Sequence, residues 1–541
     1  DPGEYTVKLT GYNNTYPSGV SATVLIKVTQ STFYVNSESS SPEFPYSSWE
    51  TAAKTIQEAI DAGNIPGRLV LVTNGVYDVG GRVVYGLMTN RIVLTQGVMV
   101  KSVNGPTVTF IVGSEASGGG NGDGAIRCAY VGADAILSGF TLTNGHTRIS
   151  EDNEGSGGGV WCETSGIISN CVLISNSAVH YGGGVHKGIL YNCILTGNST
   201  YYGGGGVYGG TLYNCTLTGN SSINYVYSGH GGGVYGCTLY NCTLTGNSAY
   251  YGGGVYGGTL YNCTLNSNSS ERMGGGADSS TLYNCTLTGN SALAGGGGAQ
   301  DGRLYNCTLI GNSAEYGSGG TSGSTLYNCI VYYNTASDEP NYDSNSKFYY
   351  SCTTPLPRGE GNIDSAPLFV DLSNGNLRLQ SNSPCINAGD NDYVSASIDL
   401  DGRPRIVDGT VDMGAYEFQS AVPGQFIGWL QNYGLPTDGS ADNTDSDNDG
   451  FDNWQEFQLG LNPIISNIGG HFKGIQNLSN KRIRLNFIGK PGKRYQLETS
   501  SNLIDWVEFI SISITNSDYS IGIDETNNAP IRFYRSRLIS E

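Results

Sequence analysis

The chain has 541 residues and a formal net charge of −19, with 46 acidic against 27 basic side chains. This acidity argues against a nucleic-acid binder, whose affinity comes mainly from neutralising phosphates. Glycine is abundant, at 81 residues, whereas charged residues make up 13% of the chain against about 25% in an average protein. No apolar run approaches the roughly 18 residues of a membrane-spanning helix, and the sequence does not begin with the charged and then apolar segment of an export signal.

Residues 1–31 contain two segments of alternating polarity, Glu4–Thr10 and Ser21–Val28, that predict two β-strands. They resemble the last two strands of a PKD-type immunoglobulin-like domain. Two strands cannot close a sandwich of about seven. Either the chain is the remainder of a longer precursor, or these strands complete a sheet in a neighbouring molecule, and the two readings are compatible. Self-assembly through residues 1–30 is therefore an expected interaction.

Residues 32–124 are predicted to form an N-terminal cap and the first coils of a repeat structure. Apolar residues recur at helical spacing between positions 49 and 60, which predicts one amphipathic helix. Early strands are predicted at Leu69–Val72 and Val98–Val100. The apolar positions of the helix are Trp49, Ala52, Ala53, Ile56, Ala59 and Ile60.

A period of about 22 residues runs through residues 125–352. Each period holds a segment of the type Thr-Leu-Tyr-Asn-Cys-Thr-Leu, rich in strand formers, followed by Gly-Asn-Ser and Gly-Gly-Gly turn signals. Short strands and tight corners repeated about ten times predict a parallel β-solenoid with one coil per period. Phe140 heads the column that marks the period, followed by Cys171, Cys193, Cys215, Cys242, Cys263, Cys285, Cys307, Cys329 and Cys352.

A flat strand cannot bury every apolar column of this repeat. A bend near the Asn-Cys pair would turn the preceding Leu and the Cys inward and leave the Tyr partly exposed. The Asn before Cys matches the glycosylation acceptor pattern, but an Asn column that hydrogen-bonds along the stack is the preferred interpretation. That interpretation covers Asn214, Asn241, Asn262, Asn284 and Asn306, and in the Gly-Asn-Ser turns Asn198, Asn220, Asn247, Asn290 and Asn312.

The cysteine column is consistent with free buried thiols or with disulfides. Neighbouring coils place Cβ atoms parallel and about 4.8 Å apart, whereas a disulfide needs about 3.5–4.5 Å and a twisted dihedral angle, which favours free thiols. Cys162 and Cys237 lie outside the column and are the better candidates for a disulfide or a surface position. No Cys-x-x-Cys pair is present, so no metal or redox role is predicted for the thiols.

The Leu-x-Asn-Cys-x-Leu run, with Asn at the corner, resembles the Asn-ladder turn of pectate-lyase-type β-helices. The alternation of Gly-Gly-Gly-Val with Leu-Thr-Gly-Asn-Ser-Ala resembles the repeats of bacterial polymorphic outer membrane proteins. These resemblances imply an all-β, right-handed parallel β-helix of a secreted protein. They carry no implication for activity.

Residues 353–420 are predicted to cap the helix, because Ser383–Asp390 and Val411–Phe418 resemble the closing segment of secreted bacterial β-helix proteins. Residues 464–541 contain no cysteine and predict a small C-terminal β-sandwich, which resembles the C-terminal β-domains of secreted bacterial surface proteins. Its predicted strands include Arg482–Phe487, Tyr495–Glu498, Val507–Ile510 and Arg532–Arg535.

Residues 421–463 contain a segment with the spacing of metal ligands. Oxygen-bearing side chains at loop positions 1, 3, 5, 9 and 12, glycine at position 6 and a carbonyl at position 7 match an EF-hand calcium loop. The alternative is a solvated acidic linker. If calcium binds, we expect it to stiffen the joint before the last domain. The predicted ligands are Asp445, Asp447, Asp449, Phe451, Asn453 and Glu456.

The repeats are poor in charge, whereas glycosidases need paired carboxylates and lyases a base with cationic help. Asp301 and Arg303 lie close together in the sequence and are weak candidates for a catalytic role. Tyr181, Tyr316 and the pairs Tyr201–Tyr202 and Tyr250–Tyr251 either form an aromatic strip for sugars or a protein, or pack at corners. The sequence favours a non-enzymatic extracellular or cell-surface protein that is structural or adhesive. End-to-end assembly into a filament or surface layer is a hypothesis within this interpretation. The alternative is a β-helix that binds or cleaves polysaccharide.

Overall fold

The computed structural model describes residues 3–11, 20–28, 32–63, 66–95, 97–150, 152–222, 229–419, 423–437, 440–442, 444–447, 452–459, 462–464, 471–478, 482–488, 494–500, 507–513, 518–524 and 533–539. The chain divides into two compact units, Asp1–Phe369 with Ser383–Gln419, and Val370–Asn382 with Ser420–Glu541. Four long sheets make up most of the first unit. We name them A to D, in the order in which each coil of the chain visits them.

The strands of these sheets are short because each coil turns three or four times within about 22 residues. Sheet A contains Arg82–Val83, Thr89–Leu94, Ile126–Val131, Val160–Cys162, Val185–His186, Val207–Tyr208, Val234–Tyr235, Val255–Tyr256, Ala277–Asp278, Ala299–Gln300 and Thr321–Ser322. Sheet B contains Thr32–Val35, Leu69–Val72, Met99–Ser102, Ile136–Ser138, Ile167–Ser169, Ile189–Tyr191, Thr211–Tyr213, Thr238–Tyr240, Thr259–Tyr261, Thr281–Tyr283, Arg303–Tyr305, Thr325–Tyr327 and Lys347–Tyr349. Sheet C contains Gly75–Tyr77, Thr109–Val112, Thr141–Thr143, Val172–Ile174, Ile194–Thr196, Thr216–Thr218, Thr243–Thr245, Thr264–Asn266, Thr286–Thr288, Thr308–Ile310, Ile330–Tyr332 and Cys352–Thr353. Sheet D contains Ser177–Ala178, Ser199–Thr200, Ser221–Ser222, Ser248–Tyr251, Ser269–Met273, Ser291–Ala292 and Ser313–Ala314.

Consecutive coils pair in parallel through these sheets, apart from the short first strand of sheet A, which is antiparallel to its neighbour. The pairing keeps equivalent residues in register, so that Leu212, Leu239 and Leu260 lie directly above one another. The fold is therefore the predicted parallel β-helix, and its core is one continuous column of buried Leu, Val, Ile and Cys side chains.

The predicted bend lies at the Asn before each Cys. Asn214 has a φ of 53°, the left-handed conformation that Asn tolerates better than most residues. This corner breaks the two-residue alternation, and Leu212 and Cys215 are therefore both buried while Tyr213 between them stays partly exposed. The prediction of an inward Leu, an inward Cys and a half-exposed Tyr is confirmed.

All thirteen cysteines are free and buried. The interpretation of the column as buried thiols is confirmed, but the expectation that Cys162 and Cys237 form a disulfide or reach the surface is wrong. Both side chains occupy the inner corner between sheets A and B, where other coils have glycine. A Cβ at Gly188 would overlap the sulfur of Cys162, and the thiol of Cys237 accepts a hydrogen bond from the Gly210 amide at 3.4 Å.

Helix α1, Ile56–Ala62, covers the first coils. Its first turn is closed by Thr55 and Glu58, whose side chains each accept a hydrogen bond from the other's backbone amide. The helix is shorter than the sequence pattern predicts, because this capping box begins it seven residues after Trp49. That Trp is 39% exposed and packs edge-on against Tyr34, with 4.6 Å between ring centroids. A second short helix, α2, spans Asp152–Gly155.

The segment 383–419 lies against the outside of the last coils. The Asn328 side chain donates to the carbonyl oxygen of Asp390 at 2.9 Å and accepts from its amide at 2.8 Å. The Ala415 amide donates to the hydroxyl oxygen of Thr308 at 2.9 Å. The segment also contains the 3₁₀ helix Asn391–Tyr393.

Further elements lie outside the four sheets. The strands Gly3–Gly11 and Val20–Val28 pair only with each other among the described residues, in an antiparallel arrangement. A small two-stranded sheet contains Phe369–Asp371 and Asn376–Leu379. The second unit contains α3 (Pro423–Asn432), α4 (Asn453–Leu459) and two three-stranded antiparallel sheets. Their strands are His471–Leu478, Arg482–Ile488 and Asp518–Asp524 in one, and Arg494–Ser500, Val507–Ser513 and Phe533–Ile539 in the other.

Candidate functional site

One outward position of sheet A carries an aromatic ring on six consecutive strands. These residues, which we call the aromatic strip, are in register along the sheet: Tyr130, Trp161, His186, Tyr208, Tyr235 and Tyr256. On the next two strands the same position is occupied by Asp278 and Gln300. At one strand every 4.8 Å or so, the eight positions extend roughly 34 Å along the helix.

The rings change orientation along the strip. Trp161, His186 and Tyr208 lie nearly parallel, with centroid separations of 4.0 and 5.4 Å. Tyr235 is perpendicular to both of its neighbours in the strip, Tyr208 and Tyr256, at 5.3 Å from each. Trp161 and His186 are 6% and 5% exposed, whereas the four tyrosines are partly exposed, so the tyrosines form the accessible part of the strip.

Glu163 holds the beginning of the strip. One of its carboxylate oxygens, Oε1, accepts hydrogen bonds from the hydroxyls of Tyr130 at 2.9 Å and Tyr85 at 3.0 Å, and from the indole nitrogen of Trp161 at 3.3 Å. Tyr85 adds a seventh ring, 5.9 Å from Trp161. The carboxylate therefore sets the orientation of three rings through their polar ends.

His186 is an uncharged member of the strip. Burial, aided by Lys187 and Arg127, lowers the pKa of His186 to about 3. The buried Arg127 guanidinium lies 5.6 Å from the Trp161 ring and donates to the carbonyl oxygens of Gly157 and Ser156. At neutral pH His186 thus contributes a flat neutral ring.

A second row of side chains packs beside the strip, at the corner that leads into sheet A. Tyr181, Gly203, His230 and Tyr251 are bridged in register there. Tyr181 lies 4.5 Å from Tyr208 and His230 lies 4.4 Å from Tyr256, centroid to centroid. Gly203 has no side chain where the others have a ring, and a Cβ at this position would overlap the ring of Tyr235.

The end of the strip is polar. Asp278 is 5% exposed, and its Oδ1 accepts a hydrogen bond from the Ser279 hydroxyl at 2.7 Å. Burial, with a smaller contribution from the Asp301 carboxylate, raises the pKa of Asp278 to about 6. Gln300, on the next strand, is 7% exposed, and its Oε1 has no hydrogen-bond partner among the described residues. We call Asp278, Gln300 and Asp301 the polar end.

The candidates drawn from the sequence lie around this site. Of the predicted tyrosines, Tyr181 and Tyr251 belong to the second row, while Tyr201, Tyr202 and Tyr316 are 39–60% exposed. Tyr250 borders a groove of about 300 Å³ on sheet D, with Ser270 and Glu271. Asp301 belongs to the polar end, and Arg303 lies on sheet B.

Sequence reasoning missed the strip itself. The signal was present in the residue that follows each Gly-Gly-Gly-Val or Gly-Gly-Gly-Ala run, since all of these residues occupy the outward position of sheet A. In chain order that residue is Trp161, His186, Tyr208, Tyr235, Tyr256, Asp278 and Gln300.

A separate and more regular ladder of tyrosines runs along sheet B. Its rings are parallel to within 12°, with centroids 4.9–5.1 Å apart. Tyr393, from the segment that lies over the last coils, stacks on Tyr327 at 4.2 Å. This ladder follows directly from the Thr-Leu-Tyr repeat and contains no carboxylate. Its members are Tyr191, Tyr213, Tyr240, Tyr261, Tyr283, Tyr305, Tyr327 and Tyr349.

The predicted calcium loop follows α3 and extends into the first turn of α4, in the second unit. Of its expected ligands, Asp445, Asp447, Asn453 and Glu456 lie in the described residues, whereas Asp449 and Phe451 lie outside them. Asn453 and Glu456 are fully buried. The Asn453 amide nitrogen donates to Ala441 O, Ser446 Oγ and Thr444 Oγ1 at 2.6, 2.9 and 3.1 Å, while its Oδ1 has no hydrogen-bond partner among the residues that the structure describes. An oriented amide oxygen fits a calcium ligand, although in the described part of the chain no three Asp, Glu, His or Cys side chains gather as a metal site.

No family model and no curated protein matches the sequence. Among solved structures, the chain is similar to pectate lyase Pel9A, with 15% identity and a TM-score of 0.38 over 72% of this chain and 96% of that one. It is also similar to the PL6-family alginate lyase AlyGC, with 12% identity and a TM-score of 0.31 over 65% and 59% of the two chains. A polygalacturonase from Erwinia carotovora has 11% identity and a TM-score of 0.27 over 59% and 95%. At these values none of them assigns a role to a residue of this chain.

The described helices are too short or too polar to cross a membrane.

Proposed function

We propose that this is an extracellular, non-enzymatic β-helix protein that holds a polysaccharide on the aromatic strip of sheet A. The observation that carries the proposal is the register of six aromatic rings on consecutive strands, ending in two polar residues. Sugar rings have apolar C–H faces that pack on aromatic rings, and hydroxyl groups that need polar partners at their edges. The four partly exposed tyrosines of the strip offer the rings, and Glu163, Asp278 and Gln300 offer the acceptors.

Charge narrows the class of polysaccharide. The carboxylates of Glu163, Asp278 and Asp301 lie along the strip, and the whole chain carries a net charge of −19. Lys187, which follows His186, is an exposed cation beside it. Strongly anionic polysaccharides are therefore repelled, and we expect neutral or cationic ones to bind.

Binding to a panel of neutral, anionic and cationic polysaccharides, measured by affinity electrophoresis, tests this proposal. Tyr208→Ala and Tyr235→Ala together should weaken retention about thirtyfold, since each lost aromatic contact costs on the order of 1 kcal/mol. The matched control is Tyr240→Ala with Tyr261→Ala on the sheet B ladder, which should leave retention unchanged. Equal losses in both pairs, or no retention of the unaltered protein, would refute the proposal.

Cleavage is a second candidate, favoured by the raised pKa of Asp278 beside Asp301. A carboxyl group whose pKa lies near 6 can hold a proton for a leaving group. The assay is the release of reducing ends or unsaturated products from the polysaccharides that bind. Turnover that disappears in Asp301→Ala and Asp278→Ala would replace the non-enzymatic reading.

We also propose that residues 1–30 join copies of the chain, by addition of a strand in a neighbouring molecule. Val7 and Val24 are directly opposite each other in this two-stranded sheet and are 47% and 55% exposed. An exposed apolar pair on a two-stranded sheet that joins no other strand in the described part of the chain favours pairing with another strand. Light scattering of the chain with and without residues 1–30 tests this, and a monomer in both cases would end the idea of a filament or surface layer built this way.

We also propose that the loop of residues 445–456 binds calcium. Asp445, Asp447, Asn453 and Glu456 would hold the ion together with Asp449 and the carbonyl of Phe451. The ion would supply a charge that fixes α3 against α4, whose side chains Phe426 and Trp454 already pack edge-to-face at 5.1 Å.

A further inference from the structure

The polar end of the strip differs from the rest of sheet A because its outward positions are occupied by buried polar groups. Asp278 and Gln300 are partners in register on adjacent strands. Oε1 of Gln300 lies over the glycine turn that precedes its strand, since a Cβ at Gly296 would lie 2.9 Å from it. The Asp278 carboxylate contacts the Ser279 hydroxyl and lies close enough to Asp301, on the next coil, for the two charges to interact.

The groups in this place are hydrogen-bond acceptors without enough donors. Gln300 Oε1 is buried and has no partner among the described residues. Asp278 accepts a hydrogen bond from the Ser279 hydroxyl. The carboxylate of Asp301 lies at the equivalent corner of the next coil, in space that a Cβ at Gly323 would occupy. Buried acceptors are normally satisfied, so this arrangement points to a ligand that brings donors.

The ligand's chemistry follows from the count of donors and from charge. A hydroxyl group donates one hydrogen bond, whereas a protonated amine donates three and carries a charge that two carboxylates stabilise. A carboxylate or sulfate on the ligand would be repelled by Asp278 and Asp301. A divalent cation would need at least one more close carboxylate, and no group of three exists within the described residues.

We propose that the polar end binds the protonated amine of an amino sugar, within a polysaccharide that lies on the aromatic strip. This inference rests on the proposed function, because the strip supplies the stacking that delivers the sugar to Asp278 and Gln300. It narrows the substrate class to polymers of, or containing, free hexosamine.

The experiment compares three β-1,4-linked oligosaccharides of equal length, made of glucose, N-acetylglucosamine and glucosamine, by calorimetry at pH 6.5. The glucosamine oligomer should bind about tenfold more tightly than the other two at low salt, and the difference should shrink at high salt. Asp278→Asn and Gln300→Met should each remove this preference, so that the glucosamine oligomer binds no more tightly than the glucose oligomer. Asp338→Asn, at an exposed carboxylate away from the strip, is the matched control.

Each outcome separates the two proposals. If the neutral oligomers bind and the glucosamine oligomer binds no better, the amine site is refuted and the aromatic strip stands. If the preference survives in Asp278→Asn and Gln300→Met, general attraction to an acidic protein explains it and the site is refuted. If no oligomer binds, the proposed function itself fails. Circular dichroism and thermal unfolding of each variant confirm that a lost preference does not come from lost structure.

Discussion

The side-chain amide of Asn220 donates to Oδ1 of Asn247 at 3.0 Å, and the Asn220 backbone amide donates to the same oxygen at 2.9 Å. Asn247 repeats both bonds with Asn268, and its Nδ2 also donates to the carbonyl oxygen of Leu217. The buried ladder extends in this way from Asn176 to Asn334. The side chain of Asn247 thus satisfies a buried amide and a buried carbonyl of the preceding coil, and the other inner Asn residues repeat this pattern.

Asn247→Ala should lower the free energy of unfolding by at least about 2 kcal/mol, because it leaves several buried donors and acceptors unpaired. Chemical denaturation followed by circular dichroism measures the change. Asn214→Gly is the matched control, since Asn214 is exposed and glycine accepts its left-handed conformation. A control that costs as much as Asn247→Ala would contradict the role of the inner ladder.

The sequence predicts this ladder and the whole β-helix because stacking repeats the same side chain at every level. The period places Leu212, Cys215 and Asn220 inside without further information. The period does not show which corner positions face inward. The corner of Cys237 is buried, but other coils have glycine there, and glycine gives no sign of burial. The expectation for Cys237 was therefore wrong. The aromatic strip was missed for a related reason: its side chains differ from coil to coil, and only the register of sheet A aligns Trp161, Tyr208 and Asp278.

The thiols give a direct test of the inner column. Burial raises the pKa of Cys237 to about 12, and a protonated, inaccessible thiol does not react. The folded protein at pH 8 should therefore react with Ellman's reagent at less than one thiol per chain, and after denaturation at all thirteen. Prompt reaction of the native chain, or fewer thiols in the denatured one, would contradict the free and buried assignment.

The segment over the last coils should loosen as pH rises. Arg405 is buried there with Glu417 and Asp412, and its Nη2 donates to the carbonyl oxygens of Asp412 and Gly414 at 2.9 and 2.7 Å. Burial, with the Asp412 charge, raises the pKa of Glu417 to about 8, despite the opposing effect of Arg405. A carboxyl whose pKa is raised by folding stabilises the fold below its unfolded pKa, and this stability is lost as pH rises through the folded value.

Hydrogen exchange of residues 383–419 should accordingly become faster between pH 5 and about 8, after correction for the intrinsic rate. In Glu417→Gln the side chain cannot ionise, so the dependence should flatten. Protection that increases with pH in the unaltered protein would show that Arg405 dominates and that Glu417 is ionised throughout.

Calcium should stabilise the second unit. A bound ligand adds about 2.7 kcal/mol at a hundred times its dissociation constant, so the unfolding midpoint of that unit should rise with calcium and fall with chelator. Glu456→Gln should abolish the shift, because it removes the predicted bidentate carboxylate. Asp452→Asn, at loop position 8, which supplies no ligand, should keep it. A shift of equal size in both variants would favour a solvated acidic linker.

A substitution at Gly203 tests the aromatic strip without removing any of its side chains. Its backbone does not need glycine, since its φ lies outside the left-handed range, but a Cβ would overlap the Tyr235 ring and lie 3.1 Å from the His230 carbonyl oxygen. Gly203→Ala must therefore turn Tyr235 away from its perpendicular contacts with Tyr208 and Tyr256. Polysaccharide affinity should fall severalfold while net charge and hydrogen bonding stay the same. Gly118→Ala, where a Cβ meets nothing within 4 Å, is the matched control. If Gly203→Ala binds like the unaltered protein, the fixed orientation of the rings has no part in recognition, and the strip is then only a packing surface.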